Sequence, residues 1–172
     1  PQEHREFRAD VLEQHDLDAA DLRDNENSRE LETNSNGVLG AGLDGAKEVL
    51  EVAFAHPIGL VANALGVPPK WMLEMGKANN VPVAALVGAK QHAVKQAEAG
   101  VDIIVVSGTE GGGHCGSVST MVLVPEVRRA LKEYGDVPIL AAGGICTGEQ
   151  MAGVMAMGAD GVWCAWRWRT RA

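Results

Sequence analysis

The chain has 172 residues, of which 46% are hydrophobic, and its 15 Lys and Arg against 23 Asp and Glu give a net charge of −8. This length and apolar content are enough for one substantial core and predict one globular domain. The basic residues are scattered rather than clustered, so we expect neither nucleic acid nor an anionic membrane as a partner.

The sequence carries no pattern typical of export or of metal binding. Its longest apolar runs, such as residues 101–106, are far shorter than the ~20 residues that span a bilayer. The first residues lack a basic segment followed by an apolar one, so we expect a cytoplasmic protein. The 3 cysteines are odd in number and lack the spacing of metal ligands, which favours reduced thiols and predicts no metal site.

Residues 1–43 are predicted to form a region separate from the rest of the chain. Residues 3–15 place apolar side chains at helical spacing among charged ones, which predicts an amphipathic surface helix. Residues 16–37 are polar and acidic and cannot bury much surface, so we expect a loop or a disordered segment there. The Gly40-Ala41-Gly42 cluster follows no buried strand and is interpreted as a linker or the start of a helix.

From residue 44 onward, short apolar segments alternate with helical patterns. The apolar segments predict strands at residues 58–62, 81–87, 102–107, 138–142 and 161–165. Apolar residues recur three and four apart between them, so helices are expected to begin near Pro69, Ala89, Pro125 and Gly148. Apolar strands separated by helices predict a parallel sheet of the α/β class. Residues 44–172 are therefore interpreted as an incomplete (β/α)8 TIM barrel, with about five of its eight units present.

A glycine-rich segment, residues 108–120, follows the third predicted strand, where α/β barrels place catalytic groups. Its run Gly111-Gly112-Gly113 is entropically costly unless the backbone approaches a ligand such as a planar cofactor. The next residue, His114, has a side chain that can act as a base near neutral pH and is the candidate catalytic residue. A flexible surface loop with an incidental histidine is one alternative, and a nucleophilic Cys115 is another.

Two later loops predict a phosphate site. Ala142-Gly143-Gly144 follows the fourth predicted strand and precedes a helix, so its backbone N–H groups are suited to an anion. Ala165 and Trp166 follow the fifth predicted strand, and loops after the last two strands of a barrel commonly hold one phosphate together. An ordinary turn between a strand and a helix also favours glycine and is the alternative.

Taken in order, these segments resemble the nitronate monooxygenases, a family formerly called 2-nitropropane dioxygenases. The resemblance rests on residues 81–88 (VPVAALVG), 99–105 (AGVDIIV), 110–114 (EGGGH), 121–127 (MVLVPEV) and 140–145 (LAAGGI). It covers about residues 55–168, and the N-terminal third of the chain is only loosely similar.

The resemblance implies an FMN-dependent oxidoreductase that oxidises alkyl nitronates with molecular oxygen and without a metal. It implies that His114 binds the nitronate or removes the α-proton of a neutral nitroalkane. Small nitronates, nitroalkanes and O2 are the expected partners, and a homo-oligomer is possible. The glycine loops and the family pattern together predict flavin contacts at Ser107, Gly112, Gly113, Ala142, Gly143, Gly144, Ala165 and Trp166.

Differences from the family pattern bear on cofactor affinity. Trp166 stands where a small hydroxyl residue is usual, and Ser107 stands where Gln is common. The family's opening strands have no counterpart, and both ends of the chain suggest a fragment. We therefore expect the isolated chain to bind FMN weakly or not at all and to associate through open sheet edges. The alternatives are an enoyl-thioester reductase, which is a related flavin barrel that uses a nicotinamide cofactor, and an inactive fragment that acts only as a scaffold.

Overall fold

The computed structural model describes residues 43–113 and 115–165. The chain divides into two compact units, Pro1–Leu50 and Glu51–Ala172, and helix α1 (Leu43–Phe54) contains the boundary. The predicted helix at residues 3–15, the polar segment 16–37 and the Gly40-Ala41-Gly42 cluster lie outside the described residues, and the domain boundary after residue 43 stays a prediction. Among the described helices, none combines the length and the apolar character that a membrane span requires.

Five parallel strands form the sheet of the second unit, and each pairs with the next one along the chain. The strands are β1 (Val61–Asn63), β2 (Val83–Val87), β3 (Ile103–Ser107), β4 (Ile139–Ala142) and β5 (Gly161–Trp163). The connections contain α2 (Lys70–Ala78), α3 (Lys90–Glu98), α4 (Thr120–Ala130) with a following 3-10 turn (Leu131–Tyr134), and α5 (Gly148–Ala156).

The strand order explains why these units form part of a barrel. Parallel strands are joined by right-handed crossovers, so an order that never reverses places every connecting helix on the same face of the sheet. A doubly wound sheet, by contrast, reverses its order and has helices on both faces. The order β1-β2-β3-β4-β5 confirms the predicted α/β class and five units of a TIM barrel.

Alternating side chains divide the sheet into two apolar faces. The face toward the helices contributes Ala85, Val87, Ile104, Val106, Ile139 and Ala141 to the main core, together with Leu123, Val124 and Val127 of α4. The opposite face carries the small cluster Ala84, Val105 and Ala142, with Leu86, Ile103 and Leu140 packed against it. Because both faces are apolar, the strands are nearly continuous hydrophobic runs in the sequence.

Two elements differ most from their predicted bounds, and β2 and β5 are each two residues shorter than predicted. Helix α4 begins at Thr120 and contains Pro125, so a helix start near Pro125 is wrong. Proline removes one backbone donor from the helix, but the full burial of Leu123, Val124 and Val127 compensates for that loss. Strand β1 begins and ends later than the predicted segment 58–62, because only residues 61–63 pair with β2.

Two aspartates join neighbouring strands at their amino ends. Asp102 accepts a hydrogen bond from the backbone N–H of Val83 at 2.8 Å, and Asp160 accepts one from the N–H of Ile139 at 2.7 Å. Arg128 of α4 also bonds Asp160. These contacts lie at the end of the sheet opposite to the loops that follow the strands.

Candidate active site

A groove of about 440 Å³ lies at the carboxyl ends of the strands. Leu86, Val105 and Trp163 line it from β2, β3 and β5, and the loops after β3 and β4 complete it. This is the end at which barrels place their active sites. The groove brings together six of the predicted site residues: Ser107, Gly112, Ala142, Gly143, Gly144 and Ala165.

The other predicted site residues are not part of this described lining. Gly113 is exposed and does not line the groove. His114 and Trp166 lie outside the described residues, so the catalytic histidine and the indole beside the phosphate stay predictions. Cys115, the alternative nucleophile, is exposed, and its Sγ lies 3.9 Å from the carbonyl oxygen of Thr109.

The glycines of the loop after β3 have two different roles. A Cβ at Gly111 would lie 2.6 Å from Ser107 Oγ, and a Cβ at Gly116 would collide with the loop after β2. Glycine is needed at Gly116 because one part of the backbone packs against another, whereas at Gly111 the close neighbour is a side-chain hydroxyl. Gly112 lines the groove and has open space where a side chain would be, so it fits the predicted close approach of a ligand, whereas the open space at Gly113 lies outside the described lining.

The Gly143–Gly144 turn has a backbone shape that favours glycine. Its φ angles are +92° and +70°, in the region that residues with a Cβ rarely adopt. A Cβ at Gly143 would also lie 3.0 Å from the backbone nitrogen of Gly111. The turn after β4 is therefore in contact with the loop that precedes His114 in the sequence.

Side chains at the beginning of α5 satisfy several of its backbone donors. Thr147 and Gln150 form a capping box, in which the Thr147 side chain accepts from the Gln150 N–H at 3.3 Å. Gln150 Oε1 accepts from the N–H groups of Cys146 at 2.8 Å and Thr147 at 3.1 Å. The N–H groups of Cys146, Thr147 and Gln150 are therefore not free for a ligand.

Free backbone donors lie earlier in the chain, on the Gly143–Gly144 turn. Within residues 43–113 and 115–165, the N–H groups of Gly143, Gly144 and Ile145 have no hydrogen-bond acceptor. All three residues line the groove. Successive unpaired N–H groups in a turn are suited to a phosphate, so this part of the chain fits the phosphate of a bound nucleotide cofactor.

Glu110 and Thr120 connect the two loops, and the sequence alone did not predict this role for either. Glu110 Oε2 accepts from both the N–H and the hydroxyl of Thr120, each at 2.9 Å. The Thr120 N–H stabilises the carboxylate and lowers the pKa of Glu110 below its ordinary value. A carboxylate is favoured at a helix N-terminus, but only the tertiary structure shows which acidic residue reaches the start of α4.

Similar proteins were found by sequence. The family model "Nitronate monooxygenase" matches residues 5–168. Rv1533 of Mycobacterium tuberculosis, a protein classed as a monooxygenase, is 46% identical over 170 residues, which cover 99% of this chain and 43% of that protein. A Staphylococcus saprophyticus protein named as a nitronate monooxygenase is 27% identical over 127 residues, covering 67% of this chain and 35% of that protein.

A further relative is named for a thioester substrate. It is the (3aS,4S,5R,7aS)-5-hydroxy-7a-methyl-1-oxo-octahydro-1H-indene-4-carboxyl-CoA dehydrogenase of Rhodococcus jostii. It is 41% identical over 102 residues, which cover 59% of this chain and 28% of that protein.

Solved structures show the same architecture. FabK from Thermotoga maritima superposes with a TM-score of 0.61 at 33% identity, covering 69% of this chain and 37% of FabK. The nitroalkane oxidase from Streptomyces ansochromogenes gives a TM-score of 0.60 at 28% identity, covering 69% of this chain and 36% of the oxidase. The chain spans less than half the length of each of these relatives. Because the family model matches nearly the whole chain, from well before the glycine motifs to the end of the sheet, the chain belongs to the nitronate monooxygenase family.

Proposed function

We propose that this chain carries the cofactor- and substrate-binding face of an FMN-dependent nitronate monooxygenase. The observation that carries the proposal is the groove at the carboxyl ends of β2 to β5, where six of the predicted flavin contacts come together. Family membership and the likeness to a nitroalkane oxidase support it. The proposed location is the cytoplasm, as expected from the sequence.

Different predicted site residues would hold different parts of FMN. Gly143 and Gly144 would hold the phosphate through their N–H groups, with Ala165 and Trp166 contributing the second loop. Ser107, Gly112, Gly113 and Ala142 would flank the ring. When bound, FMN would supply the redox chemistry between the nitronate and oxygen, while the protein would supply orientation and access.

His114 is the proposed base. A neutral nitroalkane is a carbon acid, so removal of its α-proton needs a base positioned at that carbon. The neutral imidazole of His114 would take this proton, and the imidazolium would then stabilise the anionic nitronate. Leu86, Val105 and Trp163 give the groove apolar walls that would hold an alkyl group and exclude water from the reacting carbon.

An absorption spectrum tests this proposal directly. The purified chain is mixed with FMN, freed of excess FMN by gel filtration, and then given a nitronate without oxygen. The incomplete sheet predicts weak binding of FMN, but the proposal requires that the chain retain some flavin and that this flavin bleach when the nitronate is added. A chain that retains no flavin, or flavin that a nitronate leaves unchanged, would contradict the proposal for this chain and favour the scaffold alternative.

Replacing His114 with Asn separates the base from the binding site. If His114 removes the proton, turnover of a neutral nitroalkane falls by roughly 10²–10⁴, the usual contribution of a general base. Turnover of a preformed nitronate falls less, because that substrate has already lost its proton. Equal losses on the two substrates would show that His114 does not act as the base.

A thioester reductase is the second candidate function. It is favoured by one observation, the 41% identity to the Rhodococcus jostii dehydrogenase named for a carboxyl-CoA substrate. The two candidates differ in their co-substrates. NADH oxidation that depends on an enoyl thioester would support the reductase, whereas oxygen uptake that depends on a nitronate would support the monooxygenase.

A further inference from the structure

We propose that Glu110 and Thr120 are positioning residues that hold the His114-bearing loop in register with the Gly143–Gly144 turn. We refer to these two side chains as the Glu110–Thr120 joint. The inference rests on the proposed function for what the two loops do, but the joint itself is defined by hydrogen bonds among described residues. Neither side chain is assigned a chemical step.

The joint connects three elements through one buried hydroxyl. Thr120, the first residue of α4, is 3% exposed. Its Oγ1 accepts from the N–H of Gly108 at 3.2 Å and lies 3.2 Å from the carbonyl oxygen of Ala142. Gly108 begins the loop after β3, and Ala142 ends β4. A single side chain at the start of α4 therefore contacts both walls of the groove.

Glu110 strengthens this connection from the loop side. Its Oε2 receives both donors of Thr120, and the hydroxyl of Thr109 lies 3.4 Å from the same oxygen. Hydrogen bonds to a charged acceptor are stronger than those between neutral groups. Ser119, the residue at the N-cap position of α4, makes no capping bond with its own side chain. The carboxylate of Glu110 thus takes over the role of the cap and ties the loop to the helix.

Contacts next to the joint show that the two loops pack closely. A Cβ at Gly143 would lie 3.2 Å from Thr120 Oγ1, and a Cβ at Gly144 would lie 2.9 Å from Glu110 Cβ. Because the turn can touch the joint only where side chains are absent, a displacement of Glu110 or Thr120 changes what the turn packs against. A simple helix cap would have no such connection to β4.

Amide hydrogen exchange on the whole 172-residue chain tests the joint without requiring activity. In Glu110→Ala we expect exchange to rise about tenfold both in residues 108–119 and at Cys146 and Thr147, whose hydrogen-bonded N–H groups directly follow the Gly143–Gly144 turn, since a hydrogen bond to a charged group is lost. Glu126→Ala is the matched control, because Glu126 lies on α4 beyond its first turn, in a surface ion pair with Lys90 at 3.1 Å. This control should leave exchange in both loops unchanged.

Conservative variants keep the test decisive if an alanine variant folds poorly. Thr120→Ser keeps the hydroxyl and should retain slow exchange in both loops, whereas Thr120→Val keeps the shape and should accelerate both. Faster exchange confined to the first turn of α4 would show that Glu110 is only a helix cap and would overturn the proposal. Unchanged exchange in both loops would overturn it as well.

A kinetic comparison of the wild-type chain with Glu110→Gln, both loaded with FMN, tests the positioning role. Glu110→Gln should lower kcat for a neutral nitroalkane about tenfold and affect a preformed nitronate less, because only the first reaction needs an aligned base. Equal losses on the two substrates would contradict a positioning role. If the wild-type chain retains no FMN, the proposed function fails for this chain, and the exchange result still decides whether the joint exists.

Discussion

Single atoms determine how the two walls of the groove approach each other. Thr120 Oγ1 lies within hydrogen-bond distance of both Gly108 and Ala142, and the turn that follows Ala142 has no side chain at the point of contact. A hydroxyl has one hydrogen, so it donates to either Glu110 or Ala142 at any moment while it accepts from Gly108. The geometry at this point therefore depends on groups from three parts of the chain.

Gly143→Ala should destabilise the protein. The new Cβ would meet the backbone nitrogen of Gly111 at 3.0 Å, and φ of +92° is unfavourable for a residue with a side chain. We expect the free energy of unfolding in urea to fall by about 1–2 kcal/mol. Gly148→Ala is the control, because nothing lies within 4 Å of its Cβ position at the start of α5. Equal stability of the two variants would disprove the steric argument.

The Glu110 contact predicts a dependence on pH. Its pKa is lower in the folded chain than the ordinary value of 4.5, chiefly because the Thr120 N–H donates to the carboxylate. A lowered pKa means that the bond contributes its full stability above the ordinary value and loses it as pH falls through the folded pKa. Exchange in residues 108–119 should therefore differ between wild type and Glu110→Gln at pH 7, and this difference should shrink below about pH 4.5. A difference that persists at lower pH would contradict the role of the carboxylate charge.

At the scale of elements, the carboxyl and amino ends of the strands have different functions. The carboxyl ends support the groove, while the amino ends of β2 and β4 are held to their neighbours by Asp102 and Asp160. Both aspartates come directly before a strand and accept from the first backbone N–H of the preceding strand. The repeated use of the same contact indicates a structural function that is separate from the site.

Asp102→Ala should therefore reduce stability without changing the groove. The Val83 N–H loses its acceptor, so we expect the free energy of unfolding to fall by about 1–2 kcal/mol. Asp136→Ala is a matched control, since Asp136 is exposed and its side chain makes no hydrogen bond within residues 43–113 and 115–165. FMN retention per folded molecule should be the same in both variants. A loss of flavin specific to Asp102→Ala would show that Asp102 also affects flavin binding and would contradict this prediction.

At the scale of the whole molecule, the edges of the sheet govern behaviour in solution. Within the described part of the chain, the outer edges of β1 and β5 pair with no further strand. Apolar side chains are exposed near the β5 edge, with exposed fractions of 41% for Met151, 43% for Met155 and 38% for Trp163. Unpaired edges with apolar neighbours favour pairing with another chain.

We expect the chain to self-associate as its concentration increases. Sedimentation should give a mass that rises above the 18.1 kDa of one chain. Met155→Lys, which places a charge on the exposed face of α5, should shift the association to higher concentration. Glu126→Gln serves as the control because it changes one charge at a partly exposed ion pair. A wild-type chain that stays monomeric over the whole range would disprove this prediction.

Periodicity and loop position determined much of the fold from the sequence alone. Five apolar segments and the helical patterns between them were sufficient for the α/β class, because these signals depend on residues a few positions apart. The position of the segments at the carboxyl ends of β3, β4 and β5 likewise indicated six residues that lie at one groove. The start of α4 could not be predicted from the sequence. The cost of Pro125 inside the helix is offset by burial, and that burial arises from contacts with other elements.

Only the tertiary structure decided how the loops of the groove are joined. The contacts from Thr120 reach Glu110, ten positions earlier in the chain, and Ala142, 22 positions later. Their closeness depends on the register of parallel strands, which sequence periodicity does not specify between β3 and β4. The sequence by itself therefore determined which segments line the groove, because secondary structure and glycine content are local properties. The folded chain decided which side chains hold those segments together, because that choice depends on distant residues meeting in space.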